Sequence, residues 1–282
     1  MGKFTYDINR YEPKQMVALP LCLLILSVIF LAFNTVSTGM PVEPGIDFAG
    51  GVAVTLSTSD LVDVIEDYFA DYPLKISESD LAAGYLVFNY IEGDSFKDLT
   101  EHVTARYPDA TIYQMGETFG KTLQSQAIWA LLFAFVLMAI VVFVAFRIFN
   151  PSVAVVLSAF SDIVITAAFM DVFGVTLSLG TTAALLMLIG YSVDSDILLT
   201  TRLLKRQGKV DEKFRGAFRT GIIMTTTTLA AVVVMFVVFS LGQVILIRDI
   251  SAVLIIGLII DMMNTWMLNA GLLKWYVKKG GK

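Results

Sequence analysis

Cysteine and histidine are almost absent from this sequence. Its 282 residues include one cysteine, Cys22, and one histidine, His102. Cys22 has no partner for an internal disulfide, and we interpret it as a small buried hydrophobic residue. Two such residues cannot supply the four ligands of a structural zinc site. We therefore expect neither a bound metal ion nor a cofactor.

Nucleotide-binding and nucleic-acid-binding motifs are missing as well. The sequence has no Walker loop, no GxGxxG after a predicted strand and no basic stripe with interleaved aromatic residues. Charged residues make up 16% of the chain, against about 25% in soluble domains, and hydrophobic residues reach 56%. Mean hydropathy is +0.75. This composition argues against a soluble domain or a nucleic-acid partner and indicates a chain embedded in the lipid bilayer.

Long apolar runs account for the excess of hydrophobic residues. A helix needs about 20 apolar residues to cross a bilayer. Six runs approach or exceed that length: residues 16–33, 126–146, 153–172, 177–199, 222–241 and 250–273. A cleaved signal peptide is the alternative for the first run, which is long for such a segment. We predict transmembrane helix 1 at residues 16–38 and a five-helix transmembrane bundle at residues 123–275.

Residues 39–122 have a different character, with short alternating apolar segments in place of the long runs. The pattern predicts two helices, at 60–71 and 96–107, the first with Ser59 as its N-cap. It also predicts strands at 52–57, 74–77, 85–91 and 111–115. The order β-α-β-β-α-β is typical of a ferredoxin-like domain. The predicted fold is an α-helical multi-pass membrane protein with six transmembrane helices and a small α+β ferredoxin-like domain between helices 1 and 2.

Basic residues indicate the orientation in the membrane. Between residues 202 and 219 the sequence has seven lysines and arginines against two acidic residues. Because positive residues stay in the cytoplasm, we predict a cytosolic loop at 202–220 and cytosolic termini at 1–15 and 276–282. The α/β domain at 39–122 then lies outside the cell membrane. Its predicted helix 60–71 is strongly acidic, which we interpret as a solvated face.

Four carboxyl groups fall within the predicted spans: Asp162, Asp194, Asp196 and Asp261. A charge in hydrocarbon is costly, so we expect all four to face the bundle interior. Asp194 and Asp196 are two residues apart and point in different directions on a helix, so we expect them in different sites. Asp194, Asp196 and Asp162 are candidates for a proton relay, and the alternative is that they only hydrogen-bond neighbouring helices.

Two motifs resemble those of the SecF family of protein-export membrane proteins. The run from Gly45 to Gly51 resembles the GIDFxGG signature, in which Gly50 and Gly51 permit backbone angles or close approaches that a side chain forbids. The run from Gly190 to Arg202 is similar to the GYSxND…R element of SecF and to the VDAN…ER element of SecD. The motif residues are Gly45, Ile46, Asp47, Phe48, Gly50, Gly51, Gly190, Tyr191, Ser192 and Arg202.

The resemblance covers essentially the whole chain and implies a function. It implies a non-enzymatic accessory subunit that acts with SecD and the Sec translocon channel on a translocating unfolded polypeptide. The family belongs to the resistance-nodulation-division superfamily, and bacterial members are thought to use the proton gradient. By the resemblance, Asp194 matches the aspartate of the SecD element, and Ser195 stands where many SecF proteins carry theirs. The expected arginine early in the fifth span is missing, and Arg219 is the nearest candidate.

Two other functions fit a chain with embedded carboxyl groups. A proton-driven exporter of small molecules or lipids would share the superfamily, but such exporters have larger outer domains and twelve spans in one chain. An intramembrane aspartyl protease needs two facing carboxylates, for which Asp162 and Asp194 are candidates. The YD and GxGD signatures of that protease family are missing. Protein export is therefore the leading interpretation, and the variant motif with Asp196 and Thr201 resembles archaeal members.

Overall fold

The chain forms a helical bundle with a small α/β domain inserted after the first helix. The computed structural model describes residues 11–56, 58, 60, 62–75, 85–88, 94–205, 207–242 and 244–278. In chain order the elements are α1 (Pro13–Thr38), α2 (Ile46–Ala49), β1 (Gly51–Thr55), α3 (Val62–Tyr68), β2 (Leu74–Lys75), β3 (Tyr85–Phe88), α4 (Asp94–Arg106), β4 (Thr111–Met115), α5 (Glu117–Phe146), α6 (Phe149–Val172), α7 (Leu179–Lys205), α8 (Val210–Leu241), α9 (Ile245–Met263), a π-helical turn (Asn264–Asn269) and α10 (Ala270–Lys278).

Among the described helices, five are long and apolar enough to cross a membrane: α1, α5, α6, α7 and α8. The sixth predicted span, residues 250–273, falls on α9, the π turn and α10, which follow one another without a break. α9 has only 19 residues, and every 18-residue stretch of it contains the three charged residues Arg248, Asp249 and Asp261, whereas each of the other five has an 18-residue stretch with at most two.

The helices extend beyond the predicted spans. α7 continues to Lys205 and α8 begins at Val210, so the stretch 202–220 is helical on both sides of a short connection. Both helices therefore extend into the predicted cytosolic loop. Hydropathy marks where the chain leaves an apolar region, whereas a helix ends where its backbone hydrogen bonds end.

The small domain is a four-stranded sheet covered by two helices. Its strand order is β2-β3-β1-β4, and every described neighbouring pair is antiparallel. Side chains alternate along a strand, so one face of β1 and β3 points at α3 and α4. The buried residues at this contact are Val52, Val54, Ile65, Phe69, Leu86, Phe88, Leu99 and Val103. The order of elements agrees with the predicted β-α-β-β-α-β pattern.

Some predicted features of this domain lie outside the described residues. Ser59, the predicted N-cap, is one, and the ends of two predicted strands, at 76–77 and 89–91, are others. The strand predicted at 111–115 matches β4 in both bounds.

The bundle has a buried centre and an apolar exterior. In their most apolar stretches, 56% of α6 and of α7 is buried inside the protein, against 6% of α5 and 11% of α8. α9 packs against α6, α7 and α8. Large exposed apolar side chains cover α1, α5 and α8, as on a lipid-facing surface. Cys22 belongs to that exterior on α1, so the prediction that it is buried is wrong.

Candidate functional site

The centre of the bundle holds three buried carboxyl groups, Asp162 on α6, Asp196 on α7 and Asp261 on α9. Their exposed fractions are 0%, 0% and 1%. This confirms for these three residues the prediction that embedded carboxyl groups face inward. Within the described part of the chain, the ion pairs lie elsewhere and no lysine or arginine pairs with them.

Asp162 receives hydrogen bonds on both carboxyl oxygens. Ser192 on α7 donates its hydroxyl to Oδ2 at 2.5 Å. Asn264, the first residue of the π turn, donates Nδ2 to Oδ1 at 2.7 Å and to the hydroxyl of Ser161 at 3.0 Å. Asp162 therefore ties α6 to α7 and to the π turn at one point.

Asp261 belongs to a second set of hydroxyl contacts. The Ser195 hydroxyl lies 3.1 Å from its Oδ1 and 3.3 Å from its Oδ2. Thr265 donates to Oδ1 at 3.2 Å, and its hydroxyl is 2.9 Å from that of Ser195. Hydroxyl groups both donate and accept, so this triangle can hold a proton at more than one place.

Asp196 has a single amide donor. Asn269 at the end of the π turn donates Nδ2 to Oδ1 of Asp196 at 2.8 Å. The other carboxyl oxygen, Oδ2, is buried with no hydrogen-bond partner among the described residues. The same holds for Oδ1 of Asn269 and for the hydroxyl of Thr200, one turn after Asp196. Asp196 is thus the least satisfied carboxyl group of the cluster.

The π turn explains why these side chains meet. A π helix has i→i+5 hydrogen bonds and is rare, and it often occurs at functional sites. Here it places Asn264, Thr265 and Asn269 in the protein interior, each fully buried. An uninterrupted α-helix would rotate these residues relative to one another, so the turn adapts the last helix to three carboxyl groups on different helices.

The cluster is suited to holding and passing protons. Buried carboxylates without a basic partner are costly, and protonation removes the part of the cost that comes from burying a charge. Serine, threonine and asparagine side chains around them supply both donors and acceptors. In the described residues no group of three or more His, Cys, Asp or Glu side chains has the spacing of a metal site.

Asp194 is an exception to the inward-facing rule. It is exposed on α7, whereas its neighbours Ser195 and Asp196 are buried. The prediction that Asp194 faces the interior of this chain is therefore wrong. The prediction that Asp194 and Asp196 lie in different sites is confirmed, because successive helical residues turn by about 100°.

The second motif is divided between these two faces. Gly190 and Tyr191 are exposed with Asp194, and Ser192 belongs to the buried cluster. Arg202, the last motif residue, donates its guanidinium to the carbonyl oxygen of Gly216 on α8 at 2.5 Å. The motif thus combines an exposed face, a buried site and a contact between α7 and α8.

The first motif forms a close-packed joint at the base of the small domain. Gly50 has φ +78°, and a Cβ there would lie 2.9 Å from the backbone of Glu117. A Cβ on Gly51 would lie 2.7 Å from the carbonyl oxygen of Phe88. The predicted need for glycine at both positions is confirmed. Between Gly45 and Gly50, α2 buries Phe48 with 2% exposure.

Several residues of the site were not identified from the sequence. Asn264, Thr265 and Asn269 were missed, and Asp261 was interpreted only as a polar contact between helices. A signal was present, because Asp261, Thr265 and Asn269 recur every four residues and form a polar stripe on an apolar helix.

Comparison with known proteins gives the family of the chain. The model of the family described as protein export membrane protein SecD/SecF, C-terminal, matches residues 95–279. The chain belongs to this family.

Relatives of the SecD/SecF family match over 95% or more of the chain. A protein-export membrane protein SecF from Methanolacinia petrolearia is 97% identical over 282 residues, which is 100% of both chains. A SecF from Haloferax volcanii is 43% identical over 97% of this chain and 96% of its own length. A SecF from Pyrococcus furiosus is 43% identical over 95% of this chain and 92% of its own. The predicted resemblance to SecF, including its archaeal character, is confirmed.

One solved structure has the same fold. It is the crystal structure of SecDF, a translocon-associated membrane protein from Thermus, with a TM-score of 0.73 and 22% identity. The match covers 94% of this chain and 38% of that chain, so this chain spans well under half of the SecDF polypeptide.

Proposed function

We propose that the chain is an accessory subunit of the Sec protein-export machinery and acts with a SecD partner in the cell membrane. Family membership and the names of its relatives support this function. The shared fold with a longer SecDF polypeptide fits a division of that architecture between two chains. The proposed role is non-catalytic, and the alternative of an RND-type exporter of small molecules is not favoured by the relatives.

One observation carries the proposed partnership: an acidic residue on an otherwise apolar exposed face. Along one side of α7, Ala183, Met187, Gly190, Tyr191 and Asp194 are all exposed. A carboxylate within the membrane facing lipid would cost several kcal/mol, and such residues normally face protein or water. A membrane partner that covers this face removes the cost, and SecD is the partner that family membership supports.

Asp194, Asp196 and Asp162 form the proposed proton relay. Asp194 would exchange protons at the SecD contact, and the buried cluster behind it would accept or store them. The buried hydroxyl and amide groups around Asp162 and Asp196 support this role, because they can stabilise either protonation state. The translocating unfolded polypeptide and the translocon channel are the remaining proposed partners.

The proposed topology has six membrane-spanning segments, with α9, the π turn and α10 as the last. Basic residues support cytosolic termini and a cytosolic α7–α8 connection. At that end Lys274 of α10 donates to the carbonyl oxygen of Tyr11, close to the start of α1. The small domain connects the C-terminal end of α1 to the N-terminal end of α5. Both ends lie away from the predicted cytosolic termini, which supports a position of the domain outside the membrane.

Substitution of Asp194 by asparagine tests the relay. Asparagine keeps the size and hydrogen-bonding capacity of the side chain but cannot carry a proton. In inverted vesicles with SecD, we expect Asp194→Asn to reduce gradient-stimulated export to the level seen without a gradient, while SecD still co-purifies. Asp63→Asn, at an exposed position of α3, is the control. Full stimulation in Asp194→Asn would show that Asp194 carries no protons.

A further inference from the structure

The outer ends of α1 and α6 are joined by one carboxylate. Asp171, in the last turn of α6, accepts a hydrogen bond from Nδ2 of Asn34 on α1 at 2.7 Å. Its other oxygen accepts the backbone N–H of Glu43 at 3.0 Å. Glu43 lies in the segment that leads from α1 to the small domain. Asp171 therefore fixes both the end of α1 and the entry to the domain.

The same segment pairs with the connection between α6 and α7. The N–H of Gly45 donates to the carbonyl oxygen of Leu177, and the N–H of Leu177 donates to that of Glu43, both at 2.8 Å. Pro44 and Leu177 form a parallel bridge. The segment entering the domain is thus held along its backbone as well as by Asp171.

A second carboxylate joins the domain to the start of α7. Asp47 accepts the N–H of Leu179, the first residue of α7, at 3.0 Å. An anion at this position is favoured by the unpaired N–H groups and the dipole of the helix. The hydroxyl of Tyr113 on β4 lies 3.5 Å from the other oxygen of Asp47. Burial, together with the charge of Asp47, raises the pKa of Tyr113 above its ordinary value of 10.0.

The base of the domain also lies directly on α5. A Cβ on Gly120 of α5 would be 2.8 Å from the carbonyl oxygen of Phe48 in α2. With this contact, the two carboxylates and the backbone bridge, the domain is attached to the outer ends of four membrane helices.

We propose that Asp47 and Asp171 are positioning residues, here called the carboxylate latch, that make the small domain move with the outer ends of α6 and α7. Those two helices carry Asp162 and Asp196. A rearrangement at the buried cluster would therefore move the domain together with the helices, and residues 39–50 would not act as a hinge. The use of this movement in export rests on the proposed function, whereas the docking of the domain does not.

Distance measurements between spin labels test the latch. Labels are placed at Ala105→Cys on α4 and Phe173→Cys after α6, both exposed, in a Cys22→Ser background and in complex with SecD. With the latch intact we expect one narrow distance distribution. Each bond to a carboxylate favours the docked state by about tenfold or more, so Asp47→Ala with Asp171→Ala should broaden the distribution or add a second population.

Two further variants separate a positioning role from general damage. Asp98→Ala also removes a carboxylate bond, to the hydroxyl of Tyr72, but within the domain, and should leave the distribution narrow. Asp47→Asn with Asp171 intact should also keep it narrow, because its amide oxygen still accepts from Leu179. In vesicles the double alanine variant should lose the gradient-dependent part of export and keep the gradient-independent part.

A double alanine variant with the same narrow distribution as the native chain would overturn the proposal. Broadening in Asp98→Ala equal to that in the double variant would overturn it as well. These distances are measured without an export reaction. The test of the latch can therefore succeed or fail independently of the test of the proton relay.

Discussion

At the residue scale, Asp196 and Asn269 form the most isolated polar contact of the buried cluster. Their bond of 2.8 Å joins α7 to the π turn, and neither Oδ2 of Asp196 nor Oδ1 of Asn269 has a partner among the described residues. We predict that Asn269→Ala destabilises the chain by about 1–3 kcal/mol, because it removes the amide donor of the buried Asp196. Thermal unfolding of the detergent-solubilised protein measures this.

A double-mutant cycle provides the control for that prediction. If the loss in Asn269→Ala comes from the orphaned carboxyl group, then adding Asp196→Ala should recover part of it, because the double variant no longer buries a carboxyl group that has lost its donor. Strictly additive losses would show that the two side chains are not energetically coupled and would contradict the prediction.

In the small domain, Asp60 has the clearest dependence on pH. The hydroxyl of Tyr107 donates to Asp60 at 2.8 Å, and Arg106 lies 3.0 Å from the same oxygen. These contacts, the Tyr107 bond first, lower the pKa of Asp60 below its ordinary 3.8. A lowered folded-state pKa adds stability above the ordinary value, and that stability is lost as the pH falls through the folded-state value.

We therefore predict that the stability of the small domain falls more steeply with pH in the native chain than in the Asp60→Asn variant when the pH drops below about 4. Hydrogen exchange of α3 and α4 in the full chain, measured between pH 6 and pH 3, follows this change. The same pH dependence of hydrogen exchange in the two proteins would show that Asp60 contributes nothing to the acid sensitivity of the domain.

At the element scale, the close contact between α2 and α5 can be tested by comparing substitutions at two helical glycines. A side chain on Gly120 would clash with the carbonyl oxygen of Phe48, whereas one on Gly190 of α7 meets nothing within 4 Å in this chain. Both are helical, so valine carries the same helical penalty at each. We predict that Gly120→Val lowers the unfolding free energy by about 1–3 kcal/mol more than Gly190→Val does.

Unfolding of the two purified variants in detergent gives the comparison. Under the proposed function, Gly190→Val should instead weaken binding to SecD, since valine would project into the covered face. Equal unfolding temperatures for both variants would contradict the close packing of α2 on α5.

The elements themselves were largely predictable from the sequence, for physical reasons that differ by region. Alternating side chains at 52–57 and 111–115 predicted β1 and β4, because a half-buried strand repeats every two residues. Apolar length predicted α1, α5, α6, α7 and α8. The π turn was not predictable, because it depends on how Asn264 and Asn269 meet carboxyl groups on other helices, and no local pattern records that.

The error at Asp194 has a reason at the scale of the whole molecule. Burial was predicted for a single chain, and the rule that embedded carboxyl groups avoid lipid gave the right answer for Asp162, Asp196 and Asp261. Asp194 follows the same rule only if another protein covers it. The sequence therefore indicated that Asp194 needs protein around it but not which chain would provide it.

In the proposed complex the exposed face of α7, with Asp194, contacts SecD, whereas the exposed face of α5 meets lipid. Photo-crosslinking residues at Met187 and Tyr191 of α7, and at Ile140 and Val141 of α5, compare the two faces directly; all four side chains are exposed in this chain. In membranes that contain SecD, we predict crosslinks to SecD from both α7 positions and from neither α5 position. Crosslinks to SecD from α5 alone, or from no position on α7, would contradict the account.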